Sequence, residues 1–420
     1  MYGLVDVNNF YCSCETVFDV GLKNKPFVVL SNNDGCVISR SNEAKALGVK
    51  MAEPWHQVRK RHPELRYRSS NYELYGDMSS RVMSILSAAA PAIEVYSIDE
   101  SFVELNGIAD RVALARSMRS RIREWTGLPV CVGVGSTKTR AKLANRVAKT
   151  RAEYGGVFDL ETLAPKGVRS LMAEMDVGDV WGVGHRLKTR LEGIGVKTVL
   201  DLADADSEWI RAHSSVVLQR TAAELRGVAC LPLELTPPLR KQLVVSRSFG
   251  AEVQCYDELR ESVMTYVSRA GERLRAEGLL ARVLSLFIHT NSFREDRKQY
   301  SASHAVKMPL STDDTLALAS AADYALRRIF RQGYLYQKAG VMLSDLTPLS
   351  QRQHALFVDP TQLERRSRLN ETLDQINLLY GRDTVKIAAS GLRRDWSMRR
   401  NQVSNRYTTR WSDLAIAHAR

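Results

Sequence analysis

A chain of 420 residues has room for about three domains at roughly 150 residues each. Its 44% hydrophobic and 25% charged residues exclude a disordered or fibrous chain, and apolar runs such as Ala88–Ile93 fall far short of the ~20 residues that cross a bilayer. The 60 Lys and Arg outnumber the 47 Asp and Glu, and the net charge of +13 calls for a polyanionic partner, nucleic acid before a membrane surface.

The first 160 residues read as mixed α/β. Tyr2–Val7 predicts a strand, Phe10–Val17 a helix, Pro26–Leu30 a second strand and Ser41–Gly48 a short helix with a glycine stop. Leu74, Met78, Val82, Ile85 and Leu86 recur at helical spacing within Tyr72–Ala90. Ile93–Ile98 and Phe102–Leu105 read as strands joined across Asp99 and Glu100. Val112–Trp125 predicts a basic helix, Val130–Val134 a strand, and Lys138–Lys149 a helix that follows Gly135. Residues 166–230 predict short helices broken by glycines, and the proline-rich stretch Leu231–Leu239 a linker. Beyond it come strands at Val244–Phe249, Val283–Thr290, Ala302–Met308 and Gln337–Leu343, with helices at Tyr256–Glu277 and Asp313–Phe330. That pattern is a compact α+β domain. The tail from Leu349 has weak periodicity. No basic region followed by an apolar stretch opens the chain, so no secretory signal is expected. Six cysteines without a CxxC pair make neither a disulfide framework nor a zinc site, and the expected location is a reducing cytoplasm.

Three constellations carry chemistry. Asp6 lies in an apolar strand, where an ionised carboxylate costs several kcal/mol unless compensated. Asp99 and Glu100 lie in a second apolar context. Three carboxylates on neighbouring strands could hold two Mg²⁺ ions, which favour carboxylates together with substrate phosphates; the alternative is a polar hairpin tip and a strand-edge acid. From Arg111 to Arg151 eleven basic residues face one acid, Glu124. Within that segment, Gly133 to Asn145 runs from a strand through glycines into a lysine-rich helix, a pattern that can aim amides and cations at a phosphate. Trp181-Gly182-Val183-Gly184, echoed at Gly193 and Gly195, reads as a hairpin between helices or an ordinary helix cap. Cys12 and Cys14 read as small buried residues.

In this order the motifs resemble the Y-family translesion DNA polymerases of the UmuC type. The carrying segments include Asp6–Glu15, Val28–Val37, Asn42–Val49, Ser70–Tyr75, Tyr96–Glu100, Thr137–Asn145, Val180–Gly184, Ser246–Gly250, Gln337–Met342 and Arg406–Arg410. The resemblance implies an α+β, multidomain right hand: palm at 1–30 and 75–165, small fingers at 31–74, a helix-hairpin-helix thumb at 166–235, a little finger at 242–348 and a C-terminal interaction tail at 349–420. It implies error-prone, template-directed addition of a dNTP to a primer 3′-OH on primer-template DNA, in the SOS response to DNA damage, with two Mg²⁺ ions. Asp6, Asp99, Glu100 and the Val7 carbonyl match the metal ligands. Tyr11 matches the steric gate against a ribose 2′-OH, and Phe10, Tyr11, Ser39, Lys45 and Lys149 match the triphosphate site. Asn42 stands where the family pattern has tyrosine and is left out of that set. Lys138, Arg140, Lys142, Gly182 and Gly184 are expected on DNA. Gln353, Leu356 and Phe357 resemble a sliding-clamp motif. A processed UmuD-type dimer and a RecA-type recombinase filament are the other implied partners, with no membrane and with recruitment to the nucleoid. A nucleotidyl cyclase would share the carboxylates but not the basic segments. A non-catalytic DNA-binding scaffold would lack one of the three acids.

Overall fold

The pleat of the central strand, β1 (Tyr2–Val7), points Leu4 and Asp6 to one face and Val5 and Val7 to the other, and both faces are buried. The computed structural model describes residues 1–236, 239–352, 360–392 and 394–414. It divides into two units: Met1–Ser31 with Gly35–Pro237 and Gln402–Arg420, and Asn32–Asp34 with Pro238–Asn401.

In the first unit the chain runs β1, α1 (Phe10–Phe18), β2 (Phe27–Leu30), β3 (Val37–Arg40), α2 (Asn42–Ala46), α3 (Trp55–Arg61), β4 (Arg66–Ser69) and α4 (Tyr72–Ala89). It continues through β5 (Ile93–Val95), β6 (Glu100–Glu104), α5 (Arg111–Thr126), β7 (Val130–Gly135), α6 (Lys138–Thr150) and β8 (Val157–Asp159). Five strands form one sheet in the order β5-β6-β1-β7-β8, with β1 antiparallel to both neighbours. Val5, Val7, Val130, Val132 and Val134 share a core with Leu74, Met78 and Val82 of α4 and Met118 and Ile122 of α5. On the opposite face Leu4 and Phe102 meet Ala141 of α6. Five helices complete this unit: α7 (Pro165–Glu174), α8 (His185–Gly193), α9 (Val199–Asp204), α10 (Ser207–His213) and α11 (Val216–Leu225).

A three-stranded sheet, β3-β2-β4, carries the region expected as fingers. Here the expected boundary moves. Phe27–Leu30 pairs with Val37–Arg40 and Arg66–Ser69, so it belongs to this small sheet and not to the five-stranded one. The sequence carries no signal for β3, which has four residues, or for helix α3 and strand β4. Their seven and four residues are too short to display a period.

In the second unit β9 (Gln242–Val253), α12 (Tyr256–Ala276), β10 (Leu279–Thr290), β11 (Ser301–Thr312), α13 (Thr315–Ile329) and β12 (Tyr336–Pro348) form an antiparallel sheet, order β11-β10-β12-β9, with a shared core from both helices. The tail departs from expectation. It contains a 20-residue helix, α14 (Pro360–Leu379), and Trp396 enters the core of this unit. The chain from Gln402 belongs instead to the first unit, where Tyr407 packs against its core. Gln353, Leu356 and Phe357 lie outside the described residues.

Candidate active site

Strand register assembles the carboxylates. Asp6 of β1 lies opposite Glu100 of β6, and the Val7 amide donates to the Asp99 carbonyl at 2.9 Å. Ser97 shapes the turn between β5 and β6: its hydroxyl donates to Asp99 Oδ1 at 2.7 Å and accepts from the Glu100 amide at 3.0 Å. Asp6 is only 8% exposed, and burial pushes its carboxyl up to about 7 against the opposing pull of Lys149.

Helix α6 supplies the compensating cations. Lys138, Lys142, Asn145 and Lys149 stand at i, i+4, i+7 and i+11, one stripe of the helix. Lys149 Nζ lies 2.5 Å from Asp6 Oδ2. Lys142 Nζ lies 3.0 Å from Glu100 Oε2 and over the rings of Tyr96 and Trp181, 4.7 and 5.3 Å from their centroids. Lys138 pairs with Glu94 of β5. Asn145 Nδ2 donates to the carbonyls of Leu4 and Cys131 at 3.2 and 2.9 Å, fastening α6 to the middle of the sheet.

Asp6, Val7, Phe10, Tyr11, Ser39, Lys45, Asp99 and Lys149 line one cavity of ≈ 400 Å³. The structure thus brings together eight of the nine residues expected for metal and substrate. Glu100 is absent from the lining but directly adjoins Asp6. Arg40, Asn9, Ile38 and Met51 line it as well and were missed; only Arg40, basic and one residue past Ser39, offered a sequence signal. Asn9 begins α1 in the left-handed conformation, φ 51°, without capping the helix by its side chain. Its Nδ2 donates instead to Asn42 Oδ1 at 2.8 Å, so Asn42 holds the loop that leads into Phe10 and Tyr11. The Tyr11 ring stacks on Tyr75 at 4.7 Å and meets Tyr72 edge-on at 5.9 Å. Burial pushes its phenol up to about 12, so it stays neutral. Cys12 and Cys14 are buried, as expected.

Two expectations need correction. Lys138, Arg140 and Lys142 do not present free charge. Lys138 is 3% exposed and bound to Glu94, Lys142 is bound to Glu100, and Arg140 pairs with Glu161 at 3.2 Å and donates to the Leu225 carbonyl at 3.0 Å. The basic segment is spent largely on internal acids: Arg111 on Asp159, Arg146 on Asp179 and Arg151 on Glu174. The glycine turn before α6 is likewise no phosphate cradle. A Cβ on Gly133 would sit 2.0 Å from the Asn145 nitrogen, and one on Gly135 2.6 Å from that of Ala141, so both glycines let the strand lie against the helix. The helix start already has its anions: Ser136 N donates to Glu161 and Thr139 N to Glu224, at 2.8 and 2.9 Å.

The hairpin glycines differ. Gly182 has φ +86°, and a Cβ added to it or to Gly184 would meet no atom within 4 Å. Both are exposed, beside exposed Arg186 and Arg190 of α8. Trp181 Nε1 donates to the Tyr96 hydroxyl at 3.1 Å, tying this hairpin to the turn that bears Asp99 and Glu100.

The all-oxygen donor set of Asp6, Asp99, Glu100 and the Val7 carbonyl suits a hard divalent cation. Among the described residues no three His, Cys, Asp or Glu side chains form a cage on their own. Magnesium held by carboxylates together with substrate phosphates needs none.

Comparison with solved structures shows the fold. A Y-family DNA polymerase chimera of Dbh and Dpo4 superposes with a TM-score of 0.65 at 21% identity, over 83% of this chain and 99% of that one. DinB from Sulfolobus solfataricus gives 0.52 at 21% identity, over 82% and 98%. The fold is that of the Y-family DNA polymerases. Residues 5–146 match the impB/mucB/samB family, 240–356 its C-terminal domain, and 367–417 a domain of unknown function, DUF4113. UmuC of Salmonella typhimurium strain LT2 is 44% identical over 420 residues, and ImpB of Salmonella typhimurium 42% identical over 422, each covering 99% of both chains. The chain belongs to this impB/mucB/samB family, and within it resembles the UmuC type. DNA polymerase IV of Moorella thermoacetica is 26% identical over 400 residues, 92% of this chain and 95% of the relative.

Proposed function

We propose that the protein is a DNA-directed DNA polymerase that carries out translesion synthesis, joining a dNTP to a primer 3′-OH and releasing pyrophosphate. The observation that carries this reading is the β1–β6 register that sets Asp6 against Glu100, with Asp99 in the adjoining turn and Tyr11 across the same cavity. In the reaction the primer 3′ oxygen bonds to the α-phosphorus as the bond to the β-phosphate oxygen breaks. Asp6, Asp99, Glu100 and the Val7 carbonyl are suited to hold two Mg²⁺ ions, which when bound supply activation of the primer hydroxyl and neutralisation of charge on the triphosphate. Lys45, Arg40 and the first amides of α1, at Phe10 and Tyr11, face the triphosphate, with Ser39 beside them. Burial lowers the pKa of Lys45, and an incoming polyanion restores the missing partner. The Tyr11 ring occupies the space a ribose 2′-OH would need. Gly182 and Gly184 bring backbone amides to a DNA phosphate, and Arg186 and Arg190 add charge.

In the cell we place this activity in the SOS response, in the nucleoid-containing cytoplasm, with a processed UmuD-type dimer, a RecA-type filament and the sliding clamp as partners. The test is primer extension by the purified chain, with and without those partners. Glu100→Gln is expected to reduce Mg²⁺-dependent incorporation at least ~10³-fold, the scale of a lost electrostatic contact to the transition state, while DNA affinity changes little. Wild-type extension by Glu100→Gln would overturn the assignment.

A further inference from the structure

The C-terminal segment, of which residues 367–417 match a domain of unknown function, reaches the helices that carry the Tyr11 and Tyr75 rings. From Gln402 onward it belongs to the first unit. Gln402 joins the end of β4: the Ser69 amide donates to the Gln402 carbonyl, and the Gln402 amide to Ser69 Oγ, both at 3.0 Å. The next residues grip two helices at once. Ser404 Oγ donates to Glu15 Oε1 of α1 at 3.0 Å and accepts from Asn71 Nδ2 at 3.0 Å. Asn71 caps α4 by accepting from the Leu74 amide, and its Nδ2 also donates to the carbonyls of Ser404 and Asn405. Arg406 pairs with Glu73 in the first turn of α4 at 2.6 Å. Tyr407 stacks face to face on Phe18, the last residue of α1, at 4.8 Å and 9°.

Between those two helices lies the gate. Glu15, 1% exposed, accepts a second hydrogen bond at 2.6 Å from the hydroxyl of Tyr75, and Tyr75 is the ring on which Tyr11 stacks. One hydroxyl, on Ser404, therefore connects through Glu15 and Tyr75 to Tyr11. Glu15 is a buried acid that the reaction does not use, and its two hydroxyl donors come from α4 and from the tail. A ring can exclude a 2′-OH only if it cannot retreat. The retreat of Tyr11 is blocked by Tyr75, and the position of Tyr75 is set by a carboxylate and a helix cap that the tail holds.

We propose that residues 402–407 are positioning residues for sugar selection: they strap α1 to α4 and so fix the Tyr75 ring behind Tyr11. The inference rests on Tyr11 being the gate. It assigns the C-terminal segment a role inside the catalytic unit, separate from any partner it binds.

The experiment uses the full-length chain and compares kcat/KM for dNTP with kcat/KM for the matching rNTP. Each of Ser404→Ala and Tyr407→Ala is expected to lower discrimination about fivefold, the effect of one lost hydrogen bond or ring contact. Most of that change should come from a faster rNTP reaction. Ser404→Thr, which keeps the hydroxyl, should restore the wild-type ratio. A merely structural tail would slow both substrates alike and leave the ratio unmoved, and that result overturns the inference. Tyr11→Ala separates the two readings. If it relaxes discrimination while both tail variants do not, the gate stands and the strap falls. If Tyr11→Ala leaves the ratio unchanged, the gate reading fails and the strap's role in sugar selection fails with it. Tyr407→Ala removes a partly exposed ring, so the question remains answerable if Ser404→Ala does not fold.

Discussion

Each acid of the site is placed by a neighbour it needs. Asp6 sits on the face of β1 that α6 covers, so its charge is tolerated only because Lys149 reaches it. Tyr11 is crowded by Tyr75 and Tyr72. Tyr11→Ala should raise the rNTP-to-dNTP incorporation ratio by about 100-fold or more, since an unopposed 2′-OH no longer costs the few kcal/mol of a steric clash. Single-nucleotide kinetics measure it, and an unchanged ratio would identify another residue as the gate. The three acids stand out in the sequence through the family resemblance; a carboxylate inside Gly3-Leu4-Val5-Asp6-Val7 raises the question by itself, but leaves a strand-edge acid as the alternative. Their pairing with lysines does not stand out. Lys142 and Lys149 belong to a basic run that reads as aimed at phosphates, and only the docking of α6 on the sheet reveals that its stripe of cations faces carboxylates.

Helix α6 shows the same lesson for an element. Its boundaries are readable in the sequence, but the glycines before it suggest a phosphate turn, whereas they serve contact. Gly133→Ala should therefore destabilise the protein by about 3 kcal/mol or more, because the added methyl meets backbone on two sides and nothing there can yield. Urea unfolding at constant m-value measures this, and a loss below ~0.5 kcal/mol would show that α6 can shift freely. Helix α14 is illegible for a different reason. Its contacts are polar: Arg366 and Asn370 bind Asp314, and Asp374 takes Arg275 in a two-toothed pair at 2.6 and 2.8 Å. A helix that docks by ion pairs leaves no apolar stripe for periodicity to detect. The long elements of the second unit are visible where a strict period meets a large core, as Leu284, Leu286 and Ile288 do along β10.

The whole molecule carries +13, yet much of its basic segment is neutralised internally, so part of the charge for DNA is expected from other elements. Exposed Arg186 and Arg190 beside the open Gly182–Gly184 hairpin are the candidates. Binding should weaken with salt at a log–log slope of about −0.9 per phosphate contact, and Arg186→Ala with Arg190→Ala should make that slope shallower by about two. Charge reversal at Lys138 is a different perturbation: it sets a second buried anion against Glu94 and should unfold the sheet before it affects DNA. If the arginine pair leaves the slope unchanged, the hairpin does not track the backbone.

The lysines over Asp6 and Glu100 also bear on how the proposed metal site responds to a chelator. Structural zinc domains lose their fold to a chelator because nothing else balances their ligands. Here Asp6 and Glu100 each keep an ammonium counter-ion of their own on α6. EDTA should therefore abolish incorporation with a shift in melting temperature of no more than about 2 °C, and dialysis into Mg²⁺ should return full activity without a refolding lag. A large drop in melting temperature would mean that the ions hold the sheet together. On this expectation, loss of the ions turns the reaction centre off without unfolding it, and their return turns it on again, because each of these acids has a lysine to fall back on.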